Sequence, residues 1–363
     1  MLYPYKMTPV YKDYIWGGHN LKRLGKPVVE GRVAESWELS AIPGSETKIS
    51  NGVLQGQSIV DVIKKYGRKK ILGDKFAAAP MNTGFPLLLK FIDANDRLSI
   101  QVHPDNEYAK EHEHGVGKTE MWYIVDAKSG ATVIHGFAES CQSPVKIRES
   151  ILKGEHSGLY REIQVKKGDV VFVPAGTVHA LNDGLVVAEI QQNSDLTYRI
   201  FDYDRTDSYG NKRPLHVNKA LDVLSFQNSK ALYKGITVYR DNGIETKYLA
   251  ISEYFCVKEI KSEGGTLELN PKGTFSAFMF LDGEAQIIYD EEKLKISAME
   301  TVFIPAYMGK YKIRGSFLAL HVYVADSALK VYDSLRNKGF SHEEIIENAA
   351  GAENLKFPLR VVI

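Results

Sequence analysis

At 363 residues the chain has material for two or three domains, each able to bury a core of its own. Its 46 basic and 45 acidic side chains leave a formal net charge of +1, which supplies no global field and argues against nucleic acid or an acidic membrane as partner. Two cysteines far apart in sequence, Cys141 and Cys256, argue against a disulfide framework and a thiolate zinc site.

The opening Met1-Leu2-Tyr3-Pro4-Tyr5-Lys6 lacks the apolar stretch of a signal peptide, and no run approaches the roughly 20 apolar residues that span a bilayer, so a cytoplasmic setting is expected. Ser58 is placed to cap a helix over 59–66. Short apolar runs bounded by Gly, Asp, Asn and Pro then predict strands over 85–93, 98–103, 121–126, 132–135, 169–173 and 186–191. No alternation of strand and helix links them, so an antiparallel sandwich or barrel is expected over a parallel sheet. Helices interrupt the strands: Ser143-Pro144 opens one that runs to about Lys153, and Pro214 opens another carrying Val217, Ala220, Leu221 and Leu224 on one face. Beyond about Asp326 the texture becomes helical over 328–336, and Ser341-His342-Glu343-Glu344 reads as a capping box leading into Ile345 and Ile346.

A weak repeat organises the whole. Residues 168–175 resemble residues 299–306 at an offset of 131, and a turn-rich strand pair precedes each copy. In this register His179 corresponds to Lys310, and no Gln-x-His precedes the second copy. The expectation is a mainly β chain of two related barrels with interspersed helices: a metal-binding domain over 1–240, a second barrel without ligands over 241–325, and a helical extension over 326–363.

Side chains alternate faces along a strand, so Gln101 and His103 point the same way. The loop 172–176 turns before His179 and lets its imidazole approach from a neighbouring strand. With Glu120, at the end of the charged insert 104–119, these give two imidazoles, a carboxylate and an amide. The insert itself is expected to form a short helix and loop. Taken singly, either histidine is readily a packed core residue; the set together reads as a metal site. Two imidazoles and a carboxylate suit one zinc ion, with a position open for substrate or water, although iron or manganese would accept the same donors. His112 and His114, among Lys110, Glu111, Glu113 and Gly115, read as a solvated loop.

Gly168, Pro174, Gly176 and His179 fit the second cupin motif, Gly-x5-Pro-x-Gly-x2-His, and so resemble the jelly-roll barrels of that superfamily. The first motif departs from the common form, with Gln101 where histidine is usual and Glu120 displaced by the insert. Seven blocks in order, at 15–18 (IWGG), 35–40 (ESWELS), 85–90 (FPLLLK), 98–104 (LSIQVHP), 117–123 (GKTEMWY), 173–179 (VPAGTVH) and 195–199 (DLTYR), are similar to the type I mannose-6-phosphate isomerases of short bacterial form. The resemblance covers about residues 1 to 325. It implies that Gln101, His103, Glu120 and His179 bind zinc, that Arg199 is the catalytic arginine, and that Lys90 and Ser99 hold the substrate phosphate.

Such an enzyme interconverts mannose 6-phosphate and fructose 6-phosphate through a cis-enediolate. Arg199 cannot be a base at neutral pH, so its expected part is electrostatic. For proton transfer the sequence offers Glu189, two residues before Gln191, a metal-bound water, or Lys118, two before Glu120; the reading adopted is Glu189 as carrier and Lys118 as an assisting or anion-binding group. Lys90 ends a strongly apolar run, where a lysine without a task is usually excluded. Trp16 is a candidate pocket wall, with packing in the core preferred. The only partner expected is a small sugar phosphate, for a monomer or homodimer. Two other classes stay open on the residues alone: a metal-dependent cupin oxygenase and a non-catalytic sugar-binding cupin.

Overall fold

The computed structural model describes residues 2–27, 31–78, 84–141, 143–207, 209–271 and 273–357. The chain forms two compact units that are interleaved in sequence: one holds Pro9–Ser45 and Phe85–Leu232, the other Met1–Thr8, Glu46–Gly84 and Tyr233–Ile363. Both are mainly β, and every strand pairing within them is antiparallel. Among the described residues no helix is long and apolar enough to cross a membrane.

The first unit contains strands β1 (Val10–Lys12), β2 (Glu35–Leu39), β3 (Leu87–Ala94), β4 (Ile100–Val102), β5 (Glu120–Ala127), β6 (Thr132–Phe137), β7 (Tyr160–Gln164), β8 (Val170–Val173), β9 (His179–Leu181), β10 (Leu185–Gln192) and β11 (Tyr198–Phe201). One sheet runs β8-β5-β10-β3-β2-β1 and a second runs β11-β4-β9-β6-β7. A shared core joins their inner faces: Ile92, Trp122, Ile124, Val171 and Val187 from the first sheet meet Val133 and Leu181 from the second. β3 and β10 are buried along their whole length, which is why their sequences read as unbroken apolar runs rather than alternating ones.

The outer face of the second sheet carries Ile100, Val102, Ile134, Tyr198 and Ile200, covered in part by three helices. Helix α1 (Asn106–His112) is capped by Asp105 and forms the predicted helix of the insert. Helix α2 (Pro144–Lys153) starts at a Ser143 cap with proline in its first turn, and buries Ile147 and Ile151. Helix α3 (Val217–Val223) turns Ala220 and Leu221 inward, with Leu224 just beyond it in the same cluster. The expected apolar faces therefore dock on this sheet, leaving its other face for the site.

The second unit is built on the long strands Cys256–Leu269, Tyr311–Tyr323 and Ser276–Tyr289, hydrogen-bonded in that order. Phe278, Phe280, Ile287, Ile296, Val302, Ile313 and Phe317 fill its core. The repeat is structural as well as textual. Strand Thr301–Ile304 lies 131 residues after β8, and both follow a residue with positive φ, Met299 (64°) and Gly168 (89°). Val173 pairs with Glu120, and Ile304 pairs with Ser276. Serine thus stands where the first unit places its carboxylate. Helix Ile59–Tyr66 has its Ser58 capping box, completed by Asp61. The C-terminal helices Ala328–Asn337 and His342–Asn348 pack Tyr332, Leu335 and Ile345 against Ile236, Ile251 and Cys256. Residues 358–363 of the expected extension lie outside the described residues.

Candidate metal centre

Strand register assembles the site. His179 of β9 pairs with Gln101 of β4 on one side and His135 of β6 on the other, while Arg199 of β11 pairs with Gln101. Partners directly across a ladder share a face, so these four side chains form one row on the inner face of the second sheet. Ser99 and His103 flank Gln101 at spacings of two and join the same face. Glu120 opens β5 on the opposing sheet.

Among the described residues, His103, Glu120 and His179 are the one group of His, Cys, Asp or Glu side chains disposed to share an ion, with ligand atoms all within 4.8 Å of one another. The two imidazole Nε2 atoms lie 3.1 Å apart. Glu120 places Oε2 3.5 Å from His103 Nε2 and Oε1 3.4 Å from His179 Nε2. His103 Nδ1 donates to the Leu196 carbonyl at 2.8 Å, and His179 Nδ1 donates to the Thr177 carbonyl at 2.8 Å. With the proton fixed on Nδ1, each Nε2 presents a lone pair to the centre. Both Glu120 oxygens are buried; Oε2 has the Lys118 ammonium at 2.7 Å, while Oε1 has no hydrogen-bond donor. The opposed lone pairs and the buried carboxylate call for positive charge, the Lys118 ammonium being one source and a bound cation the other.

The protonation states agree. Burial, and then the Lys118 ammonium, push His103 down to about 3. Burial likewise lowers His179. Burial works against charge on Glu120, but the Lys118 ammonium beside it holds it well below the usual carboxylate range. Neutral imidazoles and an ionised carboxylate are the states a divalent metal requires. Gln101 Nε2 lies 3.4 Å from His179 Nε2, and a half-turn of the amide brings Oε1, the atom a metal would take, to that place. The four expected ligands are therefore brought together. His112 and His114 are exposed, but His112 ends helix α1 rather than lying in the expected loop.

Lys118 comes closer to this group than expected for an anion-binding residue. It is buried, with Nζ 3.0 Å from His103 Nε2 and 2.7 Å from Glu120 Oε2. Its ammonium supplies positive charge at the same lone pairs an ion would take. His135, which the sequence reading passed over, shares the row but keeps both nitrogens engaged, with the Phe172 carbonyl at 2.9 Å and Arg161 at 3.1 Å.

Two of the candidate substrate contacts, Lys90 and Trp16, are engaged within the protein, Trp16 in the core packing preferred for it. Lys90 is 6% exposed, and its ammonium lies 3.4 Å from Glu35 Oε2, 3.2 Å from Glu189 Oε2 and 5.1 Å over the Trp37 ring. Its charge is shared by two buried carboxylates, which does not favour a phosphate contact. Trp16 is 2% exposed and belongs to the apolar core of the barrel, with Tyr14 packed 5.6 Å away, so it packs rather than walls a pocket. Trp37, Lys90, Glu189 and Trp122 form a second polar row, directly paired across β2, β3, β10 and β5. Trp122 Nε1 donates to Glu189 Oε1 at 3.1 Å, and its ring meets His179 edge-on at 5.6 Å. Burial, then the charge of Glu120, raise the Glu189 pKa, with Lys90 and Lys118 opposing. Glu35, Trp37 and Trp122 were not singled out from the sequence.

Arg199 is half-buried. Nε donates to Ser99 Oγ at 3.3 Å and Nη1 to the Pro214 carbonyl at 2.9 Å. Asp202, a plausible structural partner, is instead taken by Arg205 at 2.7 Å and by Arg213 at 2.8 Å. Among the described residues no carboxylate stands within ion-pair distance of Arg199, so its charge is uncommitted.

Residues 5–141 match the family model for the catalytic domain of phosphomannose isomerase type I, and residues 244–324 match that for the cupin domain of mannose-6-phosphate isomerase. A Bacillus subtilis protein named "Probable mannose-6-phosphate isomerase GmuF" is 37% identical over 318 residues, which are 87% of this chain and 98% of that one. The mannose-6-phosphate isomerase of Streptococcus mutans is 34% identical over 303 residues, covering 83% of this chain and 92% of its own length. The crystal structure of the mannose 6-phosphate isomerase from Bacillus subtilis superposes with a TM-score of 0.80 at 34% identity, over 88% of this chain and 99% of that one.

Proposed function

This chain belongs to the type I mannose-6-phosphate isomerase family, and we propose that it interconverts mannose 6-phosphate and fructose 6-phosphate through a cis-enediolate, using one zinc ion held by Gln101, His103, Glu120 and His179. The observation that carries the reading is the convergence of two neutral Nε2 atoms, 3.1 Å apart, and the buried Glu120 carboxylate, with ligand atoms all within 4.8 Å of one another. In this reading catalysis belongs to the unit that holds these ligands, while the barrel over 244–324 has lost them.

The reaction moves a hydrogen between C2 and C1 of the opened sugar. Only the aldehyde form acidifies the C2 proton, and removing that proton puts negative charge on O1. Gln101, His103, Glu120 and His179 would hold a divalent ion that, when bound, would supply Lewis-acid stabilisation of that charge worth several kcal/mol. Arg199 supplies a second, fixed positive charge. Its guanidinium is oriented by Ser99 and the Pro214 carbonyl, and stays cationic although burial lowers its pKa. Ser99 also faces the substrate side of β4 and serves as a substrate contact.

Glu189 is the proton carrier. Burial raises its pKa, so its carboxyl can both take a proton from one carbon and return it to the other. Trp122 fixes Oε1 by donating to it. Lys118 holds Glu120 and His103 in place and adds positive charge near the developing anion.

A coupled assay for fructose 6-phosphate, run on protein of known metal content, tests the proposal. Turnover should need bound zinc and disappear with Arg199→Ala while the fold persists. Zinc-loaded protein that leaves mannose 6-phosphate untouched, or that consumes oxygen with the sugar, would overturn it.

A further inference from the structure

Resting on the assignment of Glu189 as proton carrier, we infer that Glu35 and Lys90 are positioning residues for its carboxyl: a buried ammonium shared between two carboxylates fixes where Glu189 stands and how readily it ionises. The geometry is a closed series. Glu35 Oε2 accepts from Trp37 Nε1 at 2.6 Å and lies 3.4 Å from Lys90 Nζ, which lies 3.2 Å from Glu189 Oε2, while Glu189 Oε1 accepts from Trp122. Lys90, Glu35 and Glu189 are all at most 9% exposed. The sheet register holds Trp37, Lys90, Glu189 and Trp122 in one row, with Glu35 two residues before Trp37 on the same strand, so the backbone keeps both carboxylates beside the ammonium.

The two groups act in opposite senses. Lys90 favours the ionised form of Glu189, and Glu35 disfavours it, both directly and by competing for the one ammonium. The other charges facing Glu189 are Glu120 at the start of β5, which disfavours ionisation, and Lys118 before it, which favours it. In the low effective dielectric of the barrel interior such terms are large. Lys90 thereby acts through Glu189 and needs no contact with substrate.

The test compares zinc-loaded wild type, Lys90→Met, Lys90→Arg, Glu35→Gln and Glu189→Gln, each checked for fold by circular dichroism, with kcat and KM measured from pH 5 to 9. Lys90→Met should lower kcat about tenfold or more with little change in KM, and move the acid limb of kcat to higher pH by about one unit. Glu35→Gln should move that limb to lower pH. Lys90→Arg should restore most of the wild-type limb. Should Lys90→Met fail to fold, with two like charges left buried, Glu35→Gln alone still tests the sign. A rise in KM with an unmoved limb would give Lys90 a substrate contact and overturn the inference, as would limbs that move the same way in both variants. Full activity in Glu189→Gln would sink the proton-carrier assignment itself, whereas an inactive Glu189→Gln beside unmoved limbs in the other variants would overturn the positioning role alone.

Discussion

Acidification of the metal-free protein should expose how deeply the histidines are buried. His103 holds its proton only below about 3 in the folded chain, against about 6.5 when unfolded. At pH 7 both states are neutral and the group contributes nothing. As the pH falls through 6.5 the unfolded imidazole binds a proton that the folded one refuses, so stability falls. By pH 5 the unfolded side chain gains 1.5 pH units of protonation, about 2 kcal/mol, wherever below 5 the folded value lies. His135, at about 4 through burial, adds a similar loss of about 2 kcal/mol. The depressed carboxyl of Glu120 does not interfere, because its contribution is lost only at lower pH. Glu189, raised by burial, works in the opposite sense, but in the same way in wild type and variant. All three tryptophans, Trp16, Trp37 and Trp122, lie in the unit that holds the site, so their fluorescence during denaturant unfolding reports on it alone. Wild type minus His103→Gln should show about 2 kcal/mol more loss between pH 7 and 5 for the wild type. Parallel pH profiles for the two proteins would refute a buried, neutral His103.

Arg199→Ala should reduce kcat by roughly 10²–10³ with an unchanged circular dichroism spectrum, because a preorganised charge is lost and no structural ion pair is. Glu120→Gln keeps the volume but removes the charge that draws a cation, so the purified variant should retain far less zinc by elemental analysis. Ser341→Ala removes the side chain that accepts from Glu344 N at 3.0 Å in a capping box, and should cost about 1 kcal/mol in thermal unfolding without altering isomerase activity. Lys90→Arg should leave KM close to wild type, in contrast to the large rise expected of a phosphate contact.

The candidate ligands were legible because their signals are local. The two-residue period of a strand places Gln101 with His103, and the turn at Gly176, with φ of 85°, marks the approach of His179. The helix caps at Ser58, Ser143 and Ser341 were equally readable, since each motif spans four residues. The surroundings of Lys90 were not legible, for the opposite reason. A lysine ending an apolar run looks purposeful, but its partners Glu35 and Glu189 lie on other strands, and cross-strand register cannot be read from one strand. Trp37, Trp122 and His135 escaped notice on the same ground, for each gains its place from a neighbour 40 or more residues away. Nothing in the sequence marks residues 46–84 as belonging with 233–363, because the contacts that unite them are long-range as well.

The most direct measurement is turnover of mannose 6-phosphate before and after the ion is stripped and restored. Fructose 6-phosphate formation should vanish on chelation, return with one equivalent of zinc, and fail to return in a His103→Gln, His179→Gln double variant. Undiminished formation by protein shown to be free of metal would contradict the convergence of these side chains on a working ion.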